Sequence, residues 1–324
     1  MKNALLVGII AAVIVMISTS GSVAIADTIG EQEMQKAVLV TGASTGIGRK
    51  ITEVLAANGY YVYAGARKQK DLDALNEIEN VQSLQLDVTK QEEIDAAVAT
   101  VRNGGKGLYG LVNNAGVFIG GPLVEVSAEE MEWLMDVNVS GPYRVTRAFA
   151  PLIIDSKGRI TTIGSISGIL SGQFSGQYSM SKHAIEAYTD SLAREMERFE
   201  VKVSVIEPGN YRSQIALSAA DRMAGKEYAM EGSPYAEDIK AMQGRMGDRS
   251  QYKDPDEVAE AALHALFDAT PKRRYMVVPN QEEASWTIGK AIEELVQLNQ
   301  DHAYSYSREQ LIEMLDAAMG ENKN

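Results

Sequence analysis

Residues Gly176 to Leu192 read GQYSMSKHAIEAYTDSL, and in them Tyr178 and Lys182 stand four positions apart. On a helix, positions i and i+4 share a face, so the ammonium lies beside the phenol. An unperturbed tyrosine titrates near about pH 10 and is a poor acid or base at neutrality. A fixed cation beside it stabilises the phenolate and lowers that value. A phenol tuned in this way can take a proton from an alcohol or return one to a developing alkoxide. The same spacing also arises on ordinary solvated helix faces, so the rest of the chain has to decide between the two.

The elements that position this pair alternate along the chain. From Lys36, short apolar runs are followed by amphipathic stretches. KAVLV, YYVYAGA, VQSLQLD, LYGLVNN, RITTIGS, VKVSVIE and RYMVVP read as strands. Between the first two, IGRKITEVLAANG reads as a helix with Ile47, Ile51, Val54 and Leu55 on one face and an Asn-Gly stop. A charged helix follows Lys68, and QEEIDAAVATVR and PDEVAEAALHALFDA are further helices. β-Branched runs with little alternation indicate strands covered on both faces, as in a parallel sheet. Strand–helix alternation of this kind predicts an α/β architecture: one doubly wound, Rossmann-type parallel sheet of about seven strands with helices on both faces. One domain over residues 36–280 is expected, with a strandless segment at 212–254 and a helical extension over 281–324.

The first strand runs into TGASTGIG, with Gly42, Gly46 and Gly48 directly before a helix. In such a turn, glycines let the backbone bend sharply and approach a pyrophosphate. The helix N-terminus then offers free N–H groups and a favourable dipole. The spacing is G-x-x-x-G-x-G rather than the common G-x-G-x-x-G, but its place between strand and helix marks a dinucleotide site. Enzymes using NAD put an acid at the end of the second strand to hold the ribose 2′-hydroxyl. Here that place reads Ala66-Arg67-Lys68, and the first acid is Asp71. A guanidinium pairs with a 2′-phosphate that a carboxylate would repel. NADP is therefore the expected cofactor, through Arg67 with Arg49 or Lys68 as helpers, and NAD is the alternative. A bound nicotinamide gives the Tyr178–Lys182 pair its use, because an alcohol that loses hydride must also lose its O–H proton.

Composition narrows the classes. The chain has 324 residues, 45% of them hydrophobic, which suffices for a full core. A net charge of −13 argues against nonspecific nucleic-acid binding. There is no cysteine, which excludes disulfides, thiol nucleophiles and thiolate metal sites. The three histidines, His183, His264 and His302, lack metal-ligand spacing, so no metal is expected.

Taken together these motifs resemble the short-chain dehydrogenase/reductase family. The matching residues are TGASTGIG at 41–48, Asp87 in LQLDV, NNAG at 113–116, Asn138 in DVNVSG, Ser165 in GSISG, Tyr178 and Lys182 in YSMSK, and Pro208-Gly209. They run in order over Lys36 to Ser213, and Ser165 lies 13 residues before Tyr178, as in the family. The resemblance implies that Tyr178 is the general acid/base and that Lys182 lowers its pKa and bonds the nicotinamide ribose. Ser165 would hold the substrate oxygen, and Asn138 would anchor a proton-relaying water. The turn residues Gly42, Ser44, Thr45, Gly46, Ile47 and Gly48 would carry the dinucleotide. Asp87 and Val88 would meet the adenine; Asn114, Ala115 and Gly116 would line the cofactor; Pro208, Gly209 and Ser213 would border the nicotinamide. The chain departs from the family at Gly164, often a second serine, and at Ser213, usually a threonine. A noncatalytic NADP-binding sensor or scaffold on the same fold is the competing reading, and the complete Ser165–Tyr178–Lys182 set argues against it. An extended-branch epimerase would carry G-x-x-G-x-x-G at the first turn, which this chain lacks.

GLVNNAG, KHAIEAYTDSLAREMERFEVKVSVIEPG and NYRSQ are similar to the retinol and 17β-hydroxysteroid dehydrogenase branch. That implies an alcohol or carbonyl substrate on a bulky apolar skeleton, and homodimers or homotetramers. The 212–254 segment carries Met223, Met230, Met242 and Met246, suited either to a mobile lid over an apolar ligand or to simple helix packing. At the start of the chain, Lys2, the apolar run Ala4–Ile17 and Ala24-Ile25-Ala26 have the order of an export signal. Residues 1–26 are read as a signal peptide cleaved after Ala26, giving a periplasmic or secreted protein. The alternative is an uncleaved anchor, contacting the membrane through those residues alone, with a cytosolic catalytic domain. N-terminal sequencing of the native protein separates them: a start at Asp27 marks cleavage, a start at Met1 the anchor.

Overall fold

A computed structural model describes residues 35–224, 232–246 and 250–320. The expected signal or anchor over residues 1–26, and Met230, lie outside them. The chain runs β1 (Ala37–Val40), α1 (Gly46–Ala57), β2 (Tyr61–Ala66), α2 (Gln69–Asn76), β3 (Val81–Gln85), α3 (Gln91–Asn103), β4 (Gly110–Asn113), α4 (Ala128–Met135), α5 (Gly141–Asp155), β5 (Arg159–Ile163), α6 (Gly176–Met196) and β6 (Lys202–Pro208). It continues through α7 (Ile215–Ala224), α8 (Ala236–Met246), α9 (Asp256–Phe267), β7 (Arg274–Val277), α10 (Gln281–Leu298) and α11 (Arg308–Met319). A π-helical turn over Asp136–Ser140 joins α4 to α5.

The strands form one sheet in the order β3-β2-β1-β4-β5-β6-β7, and every pair is parallel. β1 holds the centre, with Val38 opposite Val62 on one side and Gly110 on the other. From β1 the chain winds outward to β3, then returns across to β4 and winds the other way. The reversal opens a crevice between the carboxyl ends of β1 and β4, where ligands of such sheets bind.

The unbroken apolar reading of β1 has a direct cause. Val38 and Val40 enter the core shared with Ile51 and Leu55 of α1 and Ala262 and Leu266 of α9. Ala37 and Leu39 enter the opposite core, with Ile94 and Val101 of α3 and Val145, Phe149 and Ile153 of α5. Both faces of the strand are covered, so neither can be polar. α1 ends as its Asn-Gly pair foretold: Gly59 takes φ +82, and the Tyr60 N–H returns to the Leu55 carbonyl at 3.1 Å.

The described residues of the strandless segment include two helices, α7 and α8, and no strand, and two helices occupy the region expected to be a helical tail. Among the described residues, no helix is long and apolar enough to cross a membrane.

Phe149 is fully buried between sheet and helix. Phe149→Ala is expected to destabilise the protein by about 3–5 kcal/mol, measured as a drop in the denaturant midpoint at unchanged slope.

Candidate active site

The glycine turn is held first by protein, through Asn114. Its amide nitrogen donates to the carbonyls of Thr41 at 2.9 Å and Gly42 at 3.0 Å. In return the Thr41 hydroxyl oxygen accepts the N–H groups of Asn114 at 2.9 Å and Ala115 at 3.0 Å. These four bonds lock the end of β1 to the end of β4. Glycine is required for a steric reason. A Cβ on Gly48 would sit 2.3 Å from both the Asn114 amide nitrogen and the Gly42 carbonyl oxygen. Gly42 itself has φ +65 and would press a Cβ within 2.9 Å of Ala115 Cα.

The residues of this turn suit a dinucleotide phosphate. α1 has Thr45 at its N-cap without a side-chain cap bond, and no acid stands in its first turn. Its leading N–H groups therefore face no competing carboxylate. Ser44 is partly exposed and Thr45 exposed, whereas Ile47 packs against the core. Gly46, at φ +56, lies against Ser213, whose Cβ would be 3.3 Å from an added Cβ. The loop after β6 thus meets the glycine turn.

At the end of β2, Arg67 is well exposed, its guanidinium 4.0 Å from Asp87. Arg49 is engaged with Glu53 at 2.6 Å. Burial alone would push the Asp87 carboxyl up. The hydrogen bonds from the Thr89 N–H and hydroxyl, at 3.0 and 2.7 Å, with the charges of Arg67 and Lys90, outweigh it and hold the group below the usual range. Val88 is buried and abuts Gly141, where an added Cβ would lie 2.7 Å from it. Pro208 ends β6. Next to it, Gly209 leaves room for Glu283 of α10, which accepts the Asn210 N–H at 2.8 Å.

Ser165, Tyr178, Lys182 and Asn138 come together beyond the carboxyl ends of β4 and β5. Ser165 follows β5 and caps a short 3-10 turn over Ile166–Gly168, its hydroxyl oxygen accepting the Ser167 N–H at 3.1 Å. The same hydroxyl hydrogen-bonds the Tyr178 phenol. Lys182 is buried, and its ammonium donates to the Ile163 carbonyl at 2.9 Å. Asn138 sits in the π turn, its amide nitrogen donating to the Val117 carbonyl at 2.9 Å and to Ser181 at 3.0 Å. Its carbonyl oxygen accepts the Val117 N–H at 2.8 Å, so the side chain ties the loop after β4 to α6. An added Cβ on Gly116 would lie 3.5 Å from that oxygen.

One expectation needs correction. The i,i+4 spacing suggests that Lys182 lowers the Tyr178 pKa, yet burial pushes the phenol up to about 12, opposed by its bond with Ser165. Burial also pushes Lys182 down to about 8, opposed by the charge of Glu186. The lysine nitrogen stands 5.6 Å from the centre of the tyrosine ring, and its hydrogen bond goes to Ile163. Desolvation, which spacing on a helix does not reveal, exceeds the cation's influence in this arrangement.

Apart from Met242, which the sequence marked within its methionine-bearing segment, the following contributors carried no sequence signal of their own. The Phe118 ring lies 5.1 Å from that of Tyr178. The Met242 sulfur of α8 comes within 3.0 Å of a Cβ built on Gly120, and Phe174 meets Tyr235 edge-on at 5.9 Å. α7 is clamped by Arg222, which donates to buried Glu130 at 2.9 and 2.8 Å and covers Trp133 at 3.7 Å. These contacts are between residues more than 50 apart in sequence, beyond any local pattern.

A family model described as short chain dehydrogenase matches residues 36–224. The mitochondrial D-beta-hydroxybutyrate dehydrogenase of Mus musculus is 34% identical over 265 residues, covering 74% of this chain and 76% of that protein. Retinol dehydrogenase 16 of Homo sapiens is 32% identical over 254 residues, covering 74% of this chain and 80% of that one. Among solved structures, a short chain dehydrogenase/reductase of Burkholderia phymatum in complex with NAD superposes with TM-score 0.69 at 25% identity, covering 84% of this chain and 98% of its own. A metagenomic short-chain oxidoreductase in complex with NADP gives TM-score 0.58 at 28% identity, covering 76% and 97%.

Gly48→Ala is expected to destabilise the protein by about 1–3 kcal/mol through overpacking. Adding Asn114→Ala removes one collision and leaves the one with the Gly42 carbonyl, so the double variant stays below wild type in denaturant titration. Wild-type stability in the single variant would contradict this packing.

Proposed function

This chain belongs to the short-chain dehydrogenase family and is an oxidoreductase, and from that premise we propose that it interconverts a secondary or primary alcohol with its ketone or aldehyde, using NADP(H) and Tyr178 as the proton carrier. The observation that carries the reading is the hydroxyl pair Ser165–Tyr178, held at the end of β5, on the same edge of the sheet as the glycine turn that follows β1.

A bound nicotinamide dinucleotide supplies the hydride donor or acceptor. In this reading the Gly42–Gly48 turn and the first turn of α1 take its phosphates, and Arg67 takes the 2′-phosphate. Asp87 and Val88 lie toward the adenine. Asn114, Ala115, Gly116, Pro208, Gly209 and Ser213 border the remainder, and Lys182 reaches the ribose. Arg67 suits its part because it is exposed and no acid stands at the end of β2. NAD is the alternative cofactor, and both dinucleotides occur in the similar structures.

The protein's own residues then handle the substrate oxygen. Ser165 fixes it by hydrogen bond. Tyr178, its phenol pushed up to about 12, holds its proton at neutral pH and is prepared to give it to the alkoxide formed in carbonyl reduction. In the oxidative direction the phenolate is needed, and the Ser165 bond is the contact that favours it. Oxidation should accordingly speed up as pH rises, whereas reduction should fall. Asn138 holds the floor of the site by tying Val117 to Ser181, next to the path a relayed proton would take.

The walls support an apolar substrate. Phe118 faces Tyr178, and Met242, Phe174 and Tyr235 belong to the contacts between the lid helices and the loops after β4 and β5. Apolar rings and a thioether reward burial of a hydrocarbon skeleton and offer little to a sugar.

Tyr178→Phe should abolish turnover of NADPH with a panel of steroid, retinoid and long-chain carbonyls, while NADPH binding, followed by fluorescence, stays nearly intact. Arg67→Ala should cut the preference for NADPH over NADH in kcat/KM by about tenfold or more. Full activity of the tyrosine variant, or a wild type that prefers NADH, would refute the corresponding assignment.

A further inference from the structure

The stride that links Tyr178 to Lys182 does not stop there. Glu186 and Asp190 continue it at the same four-residue interval along one face of α6. Glu186 is bound by Arg274 of β7, which also binds Glu207 at the end of β6 and donates to Asp190 at 3.2 Å. Glu207 is buried. The other carboxylate oxygen of Glu186, Oε1, is buried without a hydrogen-bond donor.

That oxygen points into the loop that carries Ser165. An added Cβ on Gly164 would stand 2.8 Å from it, and one on Gly168 would stand 2.9 Å from it. Gly164 precedes Ser165 and Gly168 ends its 3-10 turn, and both lie against the Glu186 carboxyl. The departure at Gly164, where the family often has a serine, thus has a local cause: an added Cβ there would press on Glu186 at 2.8 Å, on Val205 at 3.0 Å and on the Ile206 carbonyl oxygen at 3.3 Å.

We propose that Glu186 is a positioning residue for the reaction, seating the Ser165 turn through Gly164 and Gly168 while its charge, one helical turn beyond Lys182, keeps that lysine an ammonium next to Tyr178. The inference rests on the catalytic reading of Ser165, Tyr178 and Lys182 above.

The charged groups facing Glu186 are few. Lys182 and Asp190 lie on its own helix, Glu207 on β6 and Arg274 on β7; the Gly164–Gly168 turn brings none. Burial and the like charge of Glu207 push the Glu186 carboxyl up, and Arg274 opposes them. Burial pushes Lys182 down, and Glu186 is the charge that opposes it. Where Glu186 carries its charge, that anion extends the range in which the Lys182 ammonium survives. Removing the anion must shift the Lys182 titration to lower pH, since only the charged form of the lysine was favoured by it.

Glu186→Gln keeps the size and removes the charge. Heteronuclear NMR titration of the Lys182 side chain, assigned by its loss in Lys182→Arg, should show a midpoint about one pH unit lower in that variant. The alkaline limb of kcat for NADPH-driven ketone reduction should move down with it, giving about tenfold lower kcat on that limb, while KM for the ketone changes by less than about twofold. Glu186→Asp retains the charge, so it should hold the lysine midpoint near wild type while lowering kcat, because the shorter side chain withdraws from the two glycines. Gly164→Ala should lower kcat, and the added Glu186→Ala should recover part of that loss by removing the obstruction.

An unmoved lysine midpoint in Glu186→Gln, or wild-type kcat in Gly164→Ala, would overturn the proposal. The titration needs no turnover, so the two readings separate. A wild type without turnover but with the expected titration removes the reaction and leaves the Glu186–Lys182 coupling. Normal turnover with an unmoved midpoint does the reverse.

Discussion

A buried ammonium is the costliest group in this site, and the architecture around it follows from accommodating it. Moving a lysine out of water costs several kcal/mol unless hydrogen bonds and opposite charge replace hydration. Lys182 has both: the Ile163 carbonyl at 2.9 Å and the carboxylate of Glu186 one turn along. Ile163 is the last residue of β5, and Ser165 follows two positions later. The bond that satisfies Lys182 therefore also docks α6 on the strand end bearing Ser165. Tyr178 and the serine hydroxyl meet because the lysine is anchored where it is.

A second constraint acts at the centre of the sheet. β1 and β4 pair along their length, but the connections that leave their carboxyl ends run to opposite sides and open a crevice beyond the ladder. Thr41 and Asn114 close the base of that crevice with reciprocal bonds, and Gly48 lets the staple approach. The glycines thus serve the protein's own packing as well as leaving the first turn of α1 open. Asn138 plays a parallel part on the other side, where a π turn aims its amide at the backbone of Val117 and at Ser181.

The two halves of the site differ in how they are built. The cofactor side rests on strand ends and backbone staples, which suits a ligand of fixed shape. The side proposed for the substrate rests on loops and on α7 and α8, held by side-chain contacts: Arg222 with Glu130 and Trp133, Met242 near Phe118, Phe174 with Tyr235. Loops over a rigid scaffold vary readily without disturbing the core. That division accounts for a fold shared with relatives named for substrates as unlike as hydroxybutyrate and retinol.

The sequence by itself determined the alternation of strands and helices, the seven-stranded parallel sheet, the glycine turn and the i,i+4 tyrosine–lysine pair. Each is local: a strand buried on both faces must read apolar throughout, a tight turn must carry glycine, and a helix repeats about every four residues. Only the tertiary structure decided the electrostatics. The spacing of Tyr178 and Lys182 suggests a phenol made more acidic by its neighbour, whereas burial reverses that direction and shifts the lysine as well. It also decided why residue 164 is glycine, because the carboxylate it accommodates comes from 22 positions later and is held by an arginine on the last strand. Desolvation and contacts between distant segments depend on which surfaces the folded chain brings together, and no local pattern of residues encodes them.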